Sequence, residues 1–157
     1  MKRDFVNAKR ACMRLYEIGF SEHAALATAR AMWFLRQLGE LTEWLKSCRE
    51  EVHDSKYLAA FSGTINLFRG KFHLAVEELR SSLESDPVRW NNLAVALAFL
   101  AEEADFPADS NKDTMRIFRS AIDIAKPKNE TLADLIERNM VIYEQRDLTS
   151  RYYIELP

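Results

Sequence analysis

The run FSGTINLFRGKFHLAVEELRSSLESDP, residues 61–87, leaves a chain of this kind few ways to fold. Gly63 sits where two helices must approach closely. Gly70 sits at the turn between them, where a missing Cβ permits positive φ. Phe72, Ala75, Val76, Leu79 and Leu83 then recur at three- and four-residue spacing, which places them on one buried helical face. Asp86-Pro87 ends that face, because proline cannot continue the hydrogen-bond ladder and restricts the residue before it. The run reads as a helical hairpin, and a hairpin cannot bury its apolar face alone.

Neighbouring copies are therefore expected. Displacing the chain by 31 residues pairs Gly39 with Gly70, Leu41 with Phe72, Leu45 with Val76, Cys48 with Leu79 and Val52 with Leu83. A third copy opens at Trp90 with WNNLAVALAFL, where Ala94 takes the small position. Its second helix is delayed by AEEADFPADSNKD, a long loop containing Pro107, and resumes as TMRIFRSAIDIAKP, with Ser110 or Asn111 as N-cap. Phe118, Ala121, Ile122 and Pro127 recover the pattern there. Leu132, Leu135, Ile136, Met140 and Tyr143 mark a final helix over 129–146, whose charges let its open side face water. Upstream, helices over 3–18 and 21–38 are separated at Gly19-Phe20-Ser21, with Ser21 as cap. The tail SRYYIELP is strand-like in propensity and isolated: a clasp, a partner's ligand or a frayed end.

These residues resemble the tetratricopeptide repeat (TPR), over about residues 24–126 and most closely over 59–99. Trp44 departs from the pattern, since a small residue is usual there, as does Met32 where the next copy has Gly63. The resemblance implies an all-α, TPR-like superhelix of antiparallel helix pairs with about eight helices. It implies one domain over 1–157: a repeat core at about 24–126, a capping helix at about 130–146 and a tail at 147–157. In this family the first helices of successive repeats line a concave groove. Carried over by position, the groove residues are Leu26, Arg30, Trp33, Arg36 and Gln37 from the first repeat, and Tyr57, Thr64, Leu67 and Phe68 from the second. The third offers Asn91, Asn92, Val95 and Phe99. Ala29 and Trp33 stand where a carboxylate clamp would need a basic residue and an asparagine, which argues against a chaperone-tail clamp. Trp33, Phe68 and Phe99 fit a core between stacked helices equally well. In the alternative, the groove is filled from within by the N-terminal helix or by Tyr152-Tyr153-Ile154, leaving homodimerisation as the use of any exposed patch.

Composition supports the helical class and narrows the chemistry. The 157 residues are 48% apolar and 29% charged, with 4 Gly and 4 Pro, enough for one sizeable core. A formal charge of −2 supplies no global field toward nucleic acid or an anionic membrane. The basic residues Lys2, Arg3, Lys9, Arg10 and Arg14 read as a solvated face of an N-terminal helix, with a nucleic-acid-associated regulator as the alternative. No apolar run spans a membrane, and no signal peptide is expected. Cys12 and Cys48 read as reduced thiols, consistent with the cytoplasm. His23, His53 and His73 are too scattered for a metal site, and His53-Asp54 reads as an imidazole at a helix C-terminus. Four isolated glycines form no phosphate cradle, and adjacent acid pairs such as Glu77-Glu78 point in different directions on a helix. The expectation is a non-catalytic, cytoplasmic adaptor or chaperone-like module, without cofactor or metal, that binds a protein or peptide segment in a concave groove. A self-associating structural subunit is the alternative.

Overall fold

The structure, a computed structural model, describes residues 2–19, 21–52, 55–105, 108–147 and 149–157, with side chains from residue 4 in the first stretch and from residue 111 in the fourth. His53, Asp54, Phe20 and Pro107, and the side chains of Lys2, Arg3 and Ser110, lie outside this description. Among the described residues there are eight α-helices and no strand: α1 (Lys2–Ile18), α2 (Glu22–Phe34), α3 (Leu38–Glu51), α4 (Lys56–Phe68), α5 (Phe72–Ser81), α6 (Pro87–Glu103), α7 (Ala108–Ala125) and α8 (Glu130–Glu144). The protein is all-α, as its periodicity requires. It divides into two compact units, with the division after Leu58, inside α4.

In the first unit, α2 packs against α1 and α3. Ser21 caps α2 by accepting from Ala24 N–H. The core is built from Ala25, Ala29 and Met32 of α2 and Leu41, Leu45 and Cys48 of α3. Small residues on α2 leave room for Trp44, whose indole N–H donates to Ala25 O at 3.1 Å. Tyr16 of α1 meets Trp44 edge-on at 4.7 Å and donates to Glu51 at 2.7 Å. Lys9 donates to Gln37 and Glu40, tying α1 to the α2–α3 turn.

In the second unit, α6 packs against α5, α7 and α8. Pro87 is at the first turn of α6 and Asp86 caps it from outside, accepting from Val88 N–H at 2.9 Å. Arg89, 1% exposed, secures this entry. Its guanidinium donates to Ser82 O at 2.9 Å and lies 3.3 Å from Glu84 and 3.2 Å from Asp86. The core is rich in alanine along α6 (Ala94, Ala96, Ala98, Ala101) and receives Leu79, Ile117, Phe118, Ile136 and Tyr143 from its neighbours.

Three helix ends share one device. Arg36, Gly70 and Arg146 adopt φ of 58°, 70° and 51°. In each case the following N–H reaches back five residues: Gln37 to Met32 O, Lys71 to Asn66 O and Asp147 to Ile142 O. This is the Schellman arrangement, which satisfies terminal carbonyls by turning one residue left-handed.

The arrangement corrects the repeat register. Arg36 corresponds to Gly70, α2 to α4 and α3 to α5 at a spacing of thirty-four. The buried residues of α3, Leu41, Leu45 and Cys48, match Ala75, Leu79 and Ser82 at that spacing. The 31-residue register had treated Gly39 as a turn glycine. Gly39 lies instead in the first turn of α3, with open space where a Cβ would go. The long loop expected before Thr114 is also largely helical. α6 continues to Glu103 and α7 begins at Ala108, so Ser110 and Asn111 lie inside α7. The amphipathic stripe of Met115, Ile117, Phe118, Ala121, Ile122 and Ala125 holds α7 to the core and lets its polar first turn stay helical.

Gly63 behaves as its sequence context predicts. A Cβ there would stand 2.8 Å from Leu79 Cγ and 3.1 Å from Leu79 N. Gly63→Ala gains about 1 kcal/mol of helix propensity but forces α5 away, at a cost of about 2–3 kcal/mol. A net loss of about 1–2 kcal/mol in denaturant unfolding is expected, and an unchanged or raised midpoint would contradict the close approach. Arg36→Gly should do the opposite, gaining about 1 kcal/mol by relieving the left-handed backbone.

Candidate functional site

The interior of α6 carries two adjacent asparagines, Asn91 and Asn92, that are 1% and 0% exposed. Buried amides must find partners, because an unsatisfied one costs about 1–3 kcal/mol. On one side Asn92 donates to Thr64 Oγ1 of α4 at 3.0 Å, while the Thr64 hydroxyl donates to Ala60 O. On another, Asn139 of α8 donates to Asn91 Oδ1 at 2.8 Å. Asn91 also donates to Asn92 Oδ1 at 3.4 Å, and all three amides bond to the backbone of residues 153–155 beside α6 and α8.

The pairing addresses the backbone. Asn139 accepts from Tyr153 N–H at 2.7 Å and donates to Tyr153 O at 2.8 Å. Asn91 donates to the same carbonyl at 3.0 Å. Two residues on, Asn92 donates to Glu155 O at 2.6 Å and accepts from Glu155 N–H at 3.5 Å. Two amide forks spaced two residues apart match the repeat of an extended chain, in which alternate residues present their N–H and C=O to the same side.

Side chains complete the fit. Tyr152 sets its ring edge against Phe99 at 5.2 Å, and Phe99 stacks on Phe72 at 4.6 Å. The Tyr152 hydroxyl donates to Glu102 at 2.7 Å. Ile154 packs against the core of the unit. Tyr153 and Glu155 turn to each other, hydroxyl to carboxylate. The segment is returned toward α8 by a compact turn, in which Asp147 accepts from the Ser150 and Thr149 hydroxyls and from Thr149 N–H. Those donors, Ser150 first, hold the Asp147 carboxyl at about 2.

The groove residues inferred from the sequence separate into distinct environments. Asn91 is part of the amide cluster, Thr64 lies beneath Asn92, and Val95 is buried in α6. Phe99 is half-buried between Phe72 and Tyr152, and Phe68 is exposed at the end of α4. In the first unit, Arg30 and Tyr57 line a groove of about 500 Å³ with Phe5, Cys12, Leu26 and Phe34. Trp33 and Arg36 line a second hollow, also bordered by Phe34. Gln37 is engaged by Lys9 and donates to Glu40. Asn139 and Glu102 escaped the sequence reading. The signal for Asn139 was present, since it interrupts the apolar stripe of α8 between Ile136 and Tyr143.

Cys12 and Cys48 are free thiols. Among the described residues, no group of histidine, cysteine and acidic side chains could hold a metal ion, and no helix is long and apolar enough to cross a membrane. Comparison with protein-family models, curated proteins and solved structures finds no match for this chain.

The docked tyrosines should report on the site. Burial, reinforced by Glu102, raises the Tyr152 phenol well above its usual range, and burial with Glu155 pushes Tyr153 up to about 12. Both favour the protonated phenol, so docking is flat below the ordinary phenol value of 10.0 and weakens as pH rises from there toward about 12. In a tyrosinate absorbance titration, Asn139→Asp, which turns a donor away from Tyr153 O, should bring two of the five tyrosines down toward the ordinary value. Superimposable titrations of the two proteins would show that the segment is not held as described.

Proposed function

We propose that this chain is a non-catalytic protein-interaction module that grips an extended peptide segment along α6 and α8. The observation that carries this reading is the pair of asparagine forks. Asn139 and Asn92 each engage both the N–H and the C=O of one residue, two residues apart, so what they recognise is an extended backbone. Recognition of main chain by fixed amides, with alternate side chains entering pockets, is a recurrent physical basis of peptide binding. Here residues 153–155 occupy the place a partner's segment would take.

The reading belongs to the TPR-like class of adaptors and chaperone-like modules. Its support is the thirty-four-residue spacing of turns and buried positions, which is the period of that repeat. The free cysteines suit a reducing compartment, and the cytoplasm is the proposed location.

The test uses the full chain carrying Tyr153→Pro, which removes the N–H that Asn139 accepts from and frees the site. A labelled peptide of sequence RYYIELP should bind it saturably in fluorescence polarisation. Adding Asn139→Asp should abolish binding while helical circular dichroism is retained. Absence of saturable binding up to about 1 mM, the range an intramolecular tether supplies, would overturn the proposal.

A further inference from the structure

The side chains of the segment meet different environments. Tyr152 faces Phe99 and Glu102, Tyr153 and Ile154 pack on the core, and Glu155 is exposed, its carboxylate accepting from the Tyr153 hydroxyl. The main-chain bonds made by Asn139 and Asn92 are indifferent to side-chain identity. Selectivity must therefore come from the side chains that pack, those of Tyr152, Tyr153 and Ile154.

The tether bears on the same site. Between the end of α8 at Glu144 and the docked residues lies only the short turn organised by Arg146 and Asp147. A ligand joined by so short a connection meets its site at an effective concentration on the order of 1 mM. Any partner must compete with it.

Resting on the interaction reading above, we infer that the site selects extended protein segments of the pattern tyrosine–aromatic–branched aliphatic. Residues 151–157 serve as the resident competitor that such a segment displaces. The phenol gives the first position its identity, through one ring contact with Phe99 and one hydrogen bond to Glu102. An aromatic ring and an aliphatic side chain pack on the core at the second and third. The exposed glutamate after them contributes little beyond its backbone.

Four peptides and two proteins test this. Against the full-length Tyr153→Pro chain, RYYIELP is the reference. RAYIELP should bind about 100-fold more weakly, as loss of a buried aromatic anchor does. RFYIELP, lacking one hydroxyl, should lose about 10-fold. RYYIALP, altered only at the exposed glutamate, should stay within about 5-fold. The wild-type chain should bind RYYIELP about 100-fold more weakly than the Tyr153→Pro chain, because its own segment holds the site. If RYYIALP loses as much as RAYIELP, the selectivity inference falls while peptide binding stands. If wild type binds as tightly as Tyr153→Pro, the competitor role falls. If no peptide binds the Tyr153→Pro chain, the interaction reading itself fails.

Discussion

α6 is buried over most of residues 89–101, and the second unit is organised by what that burial demands. Packed by α5, α7 and α8, it offers water almost no polar group to solvate, yet its sequence contains an arginine and two asparagines. A polar side chain in such a position is tolerated only where fixed partners replace solvent. Arg89 finds them in the α5–α6 turn, where Ser82 O and the carboxylates of Glu84 and Asp86 meet its guanidinium. Asn91 and Asn92 find theirs in Thr64, in Asn139 and in the backbone of residues 153–155. The entry to the helix and the face that meets residues 153–155 are thus two answers to one constraint.

A segment held by amides differs from one held by apolar packing. Hydrophobic burial is tolerant of register, since a shift by two residues exchanges one aliphatic contact for another. Paired N–H and C=O groups admit only registers in which both are met, so the three asparagines convert a sticky surface into one with a defined reading frame. The aromatic stack of Phe72, Phe99 and Tyr152 supplies area, and the amides supply position.

Much of the helical framework was legible in the sequence. The apolar stripes, the Ser21 and Asp86 caps and the positive-φ Gly70 follow from residue chemistry that acts locally, and Gly63 was recognisable as a close-approach position. The repeat register was not, because the turn at Arg36 uses a residue that carries no signature for left-handed backbone, while Gly39 three positions on carries a false one. The loop after Glu103 was overestimated for a related reason: Asp109, Ser110 and Asn111 favour turns locally, and the packing of α7 overrides them. The amide cluster was visible only in fragments. Asn91 was identified through its position on a first helix, whereas Asn139 is joined to it across 48 residues of sequence by contacts no local pattern records.

The separation between the asparagines and the strand they hold sets an order of events in synthesis. Asn91 and Asn92 precede their backbone partners at Tyr153 and Glu155 by 62 and 63 residues. During vectorial translation, α6 leaves the ribosome well before the groups that complete its hydrogen bonding exist. Until then the nascent amides can be met by water, so the last hydrogen bonds of this cluster close only after residues 153–155 emerge.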